Sequence, residues 1–76
     1  MLDLYKTRDL GVASFIIAKG NEVHHIEREE RLTHFVFDNE AKCRDLEREY
    51  KFSGGKIEAK KFYDAIREAK RLIFAE

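Results

Sequence analysis

Between Thr7 and Gly20 the chain carries Leu10, Val12, Ala13, Phe15, Ile16, Ile17 and Ala18, with only Gly11 and Ser14 interrupting the apolar run. At about 100° per residue these side chains cover more than one face of a helix, so the helix is predicted to be packed on two sides. Thr7 is a candidate N-cap, Asp9 sits where the helix dipole favours an anion, and Gly20 supplies a left-handed stop, which predicts a helix over 8–19. Gly11 costs about 1 kcal/mol of helix propensity and therefore predicts a close approach by a neighbouring segment. A chain of 76 residues has few other elements to cover such a helix, and at this size only about 60% of the unfolded surface is buried on folding. A symmetric homodimer is the expected solution.

The other elements follow from periodicity. Leu2 and Leu4 alternate with Asp3 and Tyr5, a period-2 signature of a short strand ahead of Lys6-Thr7. Residues 22–28 and 31–38 are rich in β-branched, aromatic and His residues and flank Glu29-Glu30, which predicts a β-hairpin whose turn lacks Gly or Asn. Asp38 or Asn39 can cap a helix over 40–51 with the narrow stripe Cys43, Leu46 and Tyr50. Ser53-Gly54-Gly55 ends it. A last helix over 58–75 places Phe62, Ala65, Ile66, Ala69, Leu72 and Ile73 at helical spacing. The order β-α-β-β-α-α predicts a single α+β domain over 1–76, a small three-stranded sheet with helices packed on it.

Tyr5-Lys6-Thr7-Arg8-Asp9-Leu10, Ala18-Lys19-Gly20, Phe35-Val36-Phe37 and the closing Phe62, Ile66, Lys70 spacing together resemble a family of small bacterial and phage proteins of unknown function. The likeness covers nearly the whole chain and rests on a Tyr-x-Thr-x-Asp-Leu opening. Members of that family often begin the last helix with Asp-Pro, where this chain has Glu58-Ala59. The resemblance implies a compact α+β domain carried by mobile elements, and it implies no activity.

Several function classes are excluded by composition. The apolar run is far shorter than the roughly 20 residues a membrane-spanning helix needs. Met1 is followed by Asp3 without a basic region and apolar stretch, so no signal peptide is predicted, and a lone Cys43 cannot form an internal disulfide. A cytoplasmic location is the expectation. Fifteen basic and 15 acidic residues cancel, which argues against a protein whose main task is coating nucleic acid. The balance is uneven along the chain, however. Residues 53–76 carry six basic and four acidic side chains, whereas 21–52 carry six and nine, so a polyanion site belongs near the C-terminus.

Catalytic signatures are weak. With Glu29-Glu30 as the hairpin loop, His25 falls opposite His34 on a face shared with Glu27, and two imidazoles and a carboxylate can in principle hold zinc. The spacing matches no established ligand motif, and strand positions accommodate His readily, so no metal is predicted. Cys43 lies on the buried stripe of its helix and reads as a structural thiol. Ser53-Gly54-Gly55-Lys56 lacks the spacing and preceding strand of a phosphate-binding loop. No catalytic residue and no cofactor is predicted, and the chain is not expected to be an enzyme.

The last helix is the most informative element. Lys60, Arg67, Lys70 and Arg71 fall within a sector about 100° wide, with Tyr63 and Phe74 among them. Basic side chains interleaved with aromatics make a surface that tracks a nucleic-acid backbone and stacks on bases. The alternative is a solvated face on which Asp64 and Glu68 pair with the cations at i,i+3 or i,i+4. The function expected is a small interaction module touching nucleic acid through Lys60, Tyr63, Arg67, Lys70 and Arg71. The competing expectation is a protein-binding adaptor or inhibitor whose partner meets the first helix or the aromatic strand.

Overall fold

The computed structural model describes residues 3–74. Elements run β1 (Tyr5–Thr7), α1 (Leu10–Ala18), β2 (Val23–Glu29), β3 (Leu32–Phe37), α2 (Glu40–Phe52) and α3 (Ala59–Phe74). The order is β-α-β-β-α-α, and the three strands form an antiparallel sheet with β3 in the centre, β1-β3-β2. The fold is α+β, with the helices packed on one face of the sheet.

The first strand lies later than the Leu2/Leu4 alternation predicts. Tyr5 pairs with Phe37, Lys6 with Val36 and Thr7 with Phe35, so the alternation that matters buries Tyr5 and leaves Lys6 outside; Leu2 is outside the described residues. Because Thr7 is committed to this ladder, it cannot cap the helix. Asp9 does so instead, its carboxylate accepting from the Val12 N–H at 3.1 Å, while the Thr7 hydroxyl accepts from the Asp9 N–H. At the other end Gly20 (φ 98°) donates to the Ile17 carbonyl and Asn21 to that of Ile16, a Schellman stop.

The hairpin register also differs from the expected one. Glu29 remains in β2 opposite Leu32, so the turn is Glu30-Arg31 with Glu30 in the left-handed region at φ 55°. Partners then sum to 61, which sets His25 opposite Val36 and His34 opposite Glu27, and the His25–His34 pair does not form. A bulge lies between Val23 and His25. In an unbulged strand residues 23 and 26 would point to opposite faces; the extra residue lets Val23 and Ile26 both reach the core, opposite Phe37 and Phe35.

Core-facing Tyr5, Phe35 and Phe37 pack with Val12, Ala13, Ile16, Cys43 and Ala69. Each fully buried large apolar side chain contributes about 1.5–3 kcal/mol. Val12 through Ile16 are all buried within one chain, because α1 has α3 and α2 packed along it as well as the sheet. A second copy is therefore not needed to cover Val12–Ile16, and the apolar run of α1 does not itself call for a homodimer. The aromatic strand is equally closed, with Phe35, Val36 and Phe37 all buried. Gly11 supplies the predicted close approach: a Cβ there would collide with the Tyr50 hydroxyl from α2. Among the described residues, no helix is long and apolar enough to cross a membrane.

Candidate nucleic-acid interface

Helix α3 is fixed by small residues. Ala65 and Ala69 are buried, Phe62, Ile66, Leu72 and Ile73 are half-buried, and the opposite sector faces solvent. Its far end is tied to the sheet layer by Arg28, whose guanidinium donates to the carbonyls of Leu72 and Ile73. Those carbonyls have no intrahelical donor among the described residues, and a cation near the C-terminal end of a helix also favours the dipole.

Each residue expected in the site lies on the exposed sector, but the five are not equivalent. Lys60 Nζ is 3.0 Å from Asp64 and Arg71 grips both carboxylate oxygens of Glu68 at 2.6 and 3.0 Å. The Glu68 carboxyl is held below its usual range by that guanidinium, and Arg71 is correspondingly raised by Glu68. These are the i,i+4 and i,i+3 pairs that the alternative reading anticipates. Arg67 stands apart, its guanidinium 5.9 Å from the centre of the Tyr63 ring. Neither Arg67 nor Lys70 makes an ion pair among the described residues. Tyr63 is 60% exposed and Phe74 77%.

Tyr63, Arg67, Lys70 and Phe74 thus form one row at positions i, i+4, i+7 and i+11, with an aromatic ring at each end and, between them, two cations that make no ion pair among the described residues. Phe74 belongs in the row on the same helical periodicity that identifies the others. Asp64 and Glu68 border it on one side only.

The histidines make a different arrangement from the one expected. On the outer face of the sheet His24 and His25 meet through their Nδ1 atoms at 2.7 Å, a contact that the bulge creates by bringing neighbouring rings together. One proton serves that contact, so one ring donates and the other accepts. His25 Nε2 lies 3.0 Å from Glu27, which also pairs with Lys6 Nζ at 2.8 Å. Lys6 first and His25 second hold the Glu27 carboxyl down at about 2. Among the described residues, no group of three His, Cys, Asp or Glu side chains is placed to hold a metal ion.

Cys43 is buried, and burial pushes its thiol pKa up. Its S–H donates to the Asp38 carbonyl at 3.4 Å. Tyr5 is pushed up in the same way, first by burial and then by its hydrogen bond to Glu47 at 2.9 Å. Both are protonated structural groups. The Tyr5–Glu47 bond, which anchors α2 to β1 across 42 residues, has no local sequence signal.

No curated protein and no solved structure matches the chain. One family model does, a domain of unknown function (DUF5659), and it spans residues 2–75. A match over that length accounts for every element of the fold from β1 to α3, so the chain belongs to the DUF5659 family.

Proposed function

We propose that the protein is a small non-catalytic module, carried by phage or other mobile elements, that contacts nucleic-acid phosphates through the exposed face of α3. The observation that carries this reading is the row of Tyr63, Arg67, Lys70 and Phe74, where two cations without carboxylate partners among the described residues stand between two solvent-exposed rings. A solvated helix face has no need of exposed rings at both ends. Lys60 and Arg71 add to the row when a phosphate replaces Asp64 and Glu68, since exposed side-chain pairs of this kind are weak and screened by salt. Net charge is zero, so long-range steering is small and binding is weak, sequence-tolerant and salt-labile.

The test is titration of short DNA and RNA, single-stranded and duplex, against the wild type and an Arg67→Glu/Lys70→Glu variant that melts as a folded domain. Wild-type binding at low salt, with a log–log salt slope of about −0.7 per single-strand contact or −0.9 per duplex contact, supports the reading. Absence of binding at low salt, or equal binding by the folded variant, rejects it.

A protein partner is the second reading, and one observation favours it: Phe52 at the end of α2 is 80% exposed. Residues Val12–Ile16 of α1 and the Phe35–Phe37 strand are buried and offer such a partner little surface. An apolar contact of this kind would be nearly indifferent to salt.

A further inference from the structure

The geometry points to single-stranded nucleic acid as the ligand of α3, with unpaired bases stacking on Tyr63 and Phe74 while Arg67 and Lys70 hold the backbone between them. This inference rests on the phosphate-contact reading above and narrows it to one substrate class.

Three features select the single strand. The first is the pair of exposed rings. A base within a duplex has both faces covered by its neighbours, whereas an unpaired base offers a π-face to any aromatic side chain. Tyr63 already has the Arg67 guanidinium beside its ring at 5.9 Å, which favours a base on the ring by adding a cation to the stack.

The second is spacing. Eleven residues of helix separate Tyr63 from Phe74, a rise of about 16 Å. The two rings are therefore too far apart to sandwich one base, and each must take its own base from a strand laid along the helix. The two cations fall in the interval, where the intervening phosphates pass.

The third is width. The row occupies a sector about 60° across, and Asp64 and Glu68 border it. A helix entering the major groove, about 12 Å wide, is flanked by phosphates on both sides. That would set both carboxylates against a phosphate wall. A single strand needs only the row itself.

The experiment compares three probes at one low salt concentration: a twelve-nucleotide oligothymidylate, a mixed-sequence twelve-base-pair duplex, and inorganic polyphosphate, which has the charge without bases. Wild type is set beside Tyr63→Leu and Phe74→Leu, exposed substitutions that keep an apolar side chain and remove the π-face, and beside Arg67→Glu/Lys70→Glu. NMR titration reads each arm, and upfield ring-proton shifts in Tyr63 and Phe74 report stacking directly. The expected result is at least tenfold tighter binding of oligothymidylate than of duplex. Each Leu variant should lose roughly tenfold for oligothymidylate with polyphosphate binding unchanged, and the double Glu variant should lose all three. Duplex binding as tight as the single strand, or Leu variants that bind oligothymidylate unchanged, overturns this inference and leaves phosphate contact standing. No binding of any probe overturns both.

Discussion

Replacing Gly11 with Ala sets two opposed effects against each other at a single methyl group. In isolation the change favours the helix by about 0.8–1 kcal/mol. The new Cβ would, however, fall inside van der Waals contact of the Tyr50 hydroxyl, with Tyr50 Cζ 3.0 Å and Asp9 Oδ1 3.3 Å away. Tyr50 has little room to yield, because its ring packs on Phe15 at 5.4 Å between centroids and stacks on Phe62 at 6.3 Å. Overpacking of this kind costs about 1–3 kcal/mol. The overlap should win by about 1 kcal/mol, a fall of about 4–8 °C in melting temperature for a domain this size. Thermal and urea melts of Gly11→Ala, Tyr50→Phe and the double variant check it. Removing the hydroxyl relieves the closest contact, so Gly11→Ala should be better tolerated in the Tyr50→Phe background, with a coupling of at least 1 kcal/mol. Stabilisation of the wild type by Gly11→Ala, or additive variants, would show that Tyr50 swings aside freely and that the α1–α2 approach is loose.

Other outcomes follow from the same structure. Ser14 is fully buried and its hydroxyl has no partner among the described residues, so Ser14→Ala should stabilise the fold by about 1–2 kcal/mol; a loss of stability in denaturant melts would reveal a partner for the hydroxyl. Tyr5→Phe should cost about 1 kcal/mol through the lost bond to Glu47, and a neutral result would show that packing alone holds the Tyr5 ring. The Glu27 carboxyl, held at about 2 against an ordinary 4.5, contributes stability that is present above pH 4.5 and lost as pH falls towards 2. Glu27→Gln should flatten the melting-temperature profile across that window, and an unchanged acid limb would place the acid-sensitive group elsewhere.

The parts of the fold legible in the sequence are those set by side-chain period. The stripe Cys43, Leu46, Tyr50 and the alanines of α3 identify which faces turn inward, and Asn39 is the cap of α2, its side chain accepting from Lys42 N–H. Register was not legible, since Glu30-Arg31 carries none of the Gly or Asn signals that fix a two-residue turn. One misplaced turn was enough to pair His25 with the wrong residue. The cover on α1 was also hidden: α2 shows only a narrow apolar stripe, and nothing local says that Tyr50 from that stripe lies across Gly11. At the candidate site, the i,i+3 and i,i+4 spacings announced the ion pairs of Lys60 and Arg71, and periodicity grouped the row on α3. Contacts between distant segments, such as Arg28 with the end of α3, have no periodic signature and appear only with the tertiary structure.

That last contact bears on how the exposed face of α3 behaves in time. A terminal helical turn ordinarily opens and closes on its own, and side chains on it spend part of their time in conformations that bind nothing. Here the guanidinium of Arg28 clasps the Leu72 and Ile73 carbonyls from 44 and 45 residues away, so opening of the turn bearing Arg71 and Phe74 must also break a contact with the β2–β3 hairpin. Ordering of that turn then belongs to folding, and association with the proposed ligand would not have to supply it. The same clasp makes the end of α3 that carries the proposed site answerable to the hairpin: a substitution at the turn, on the opposite layer of the molecule, would loosen the proposed grip on a ligand it never touches.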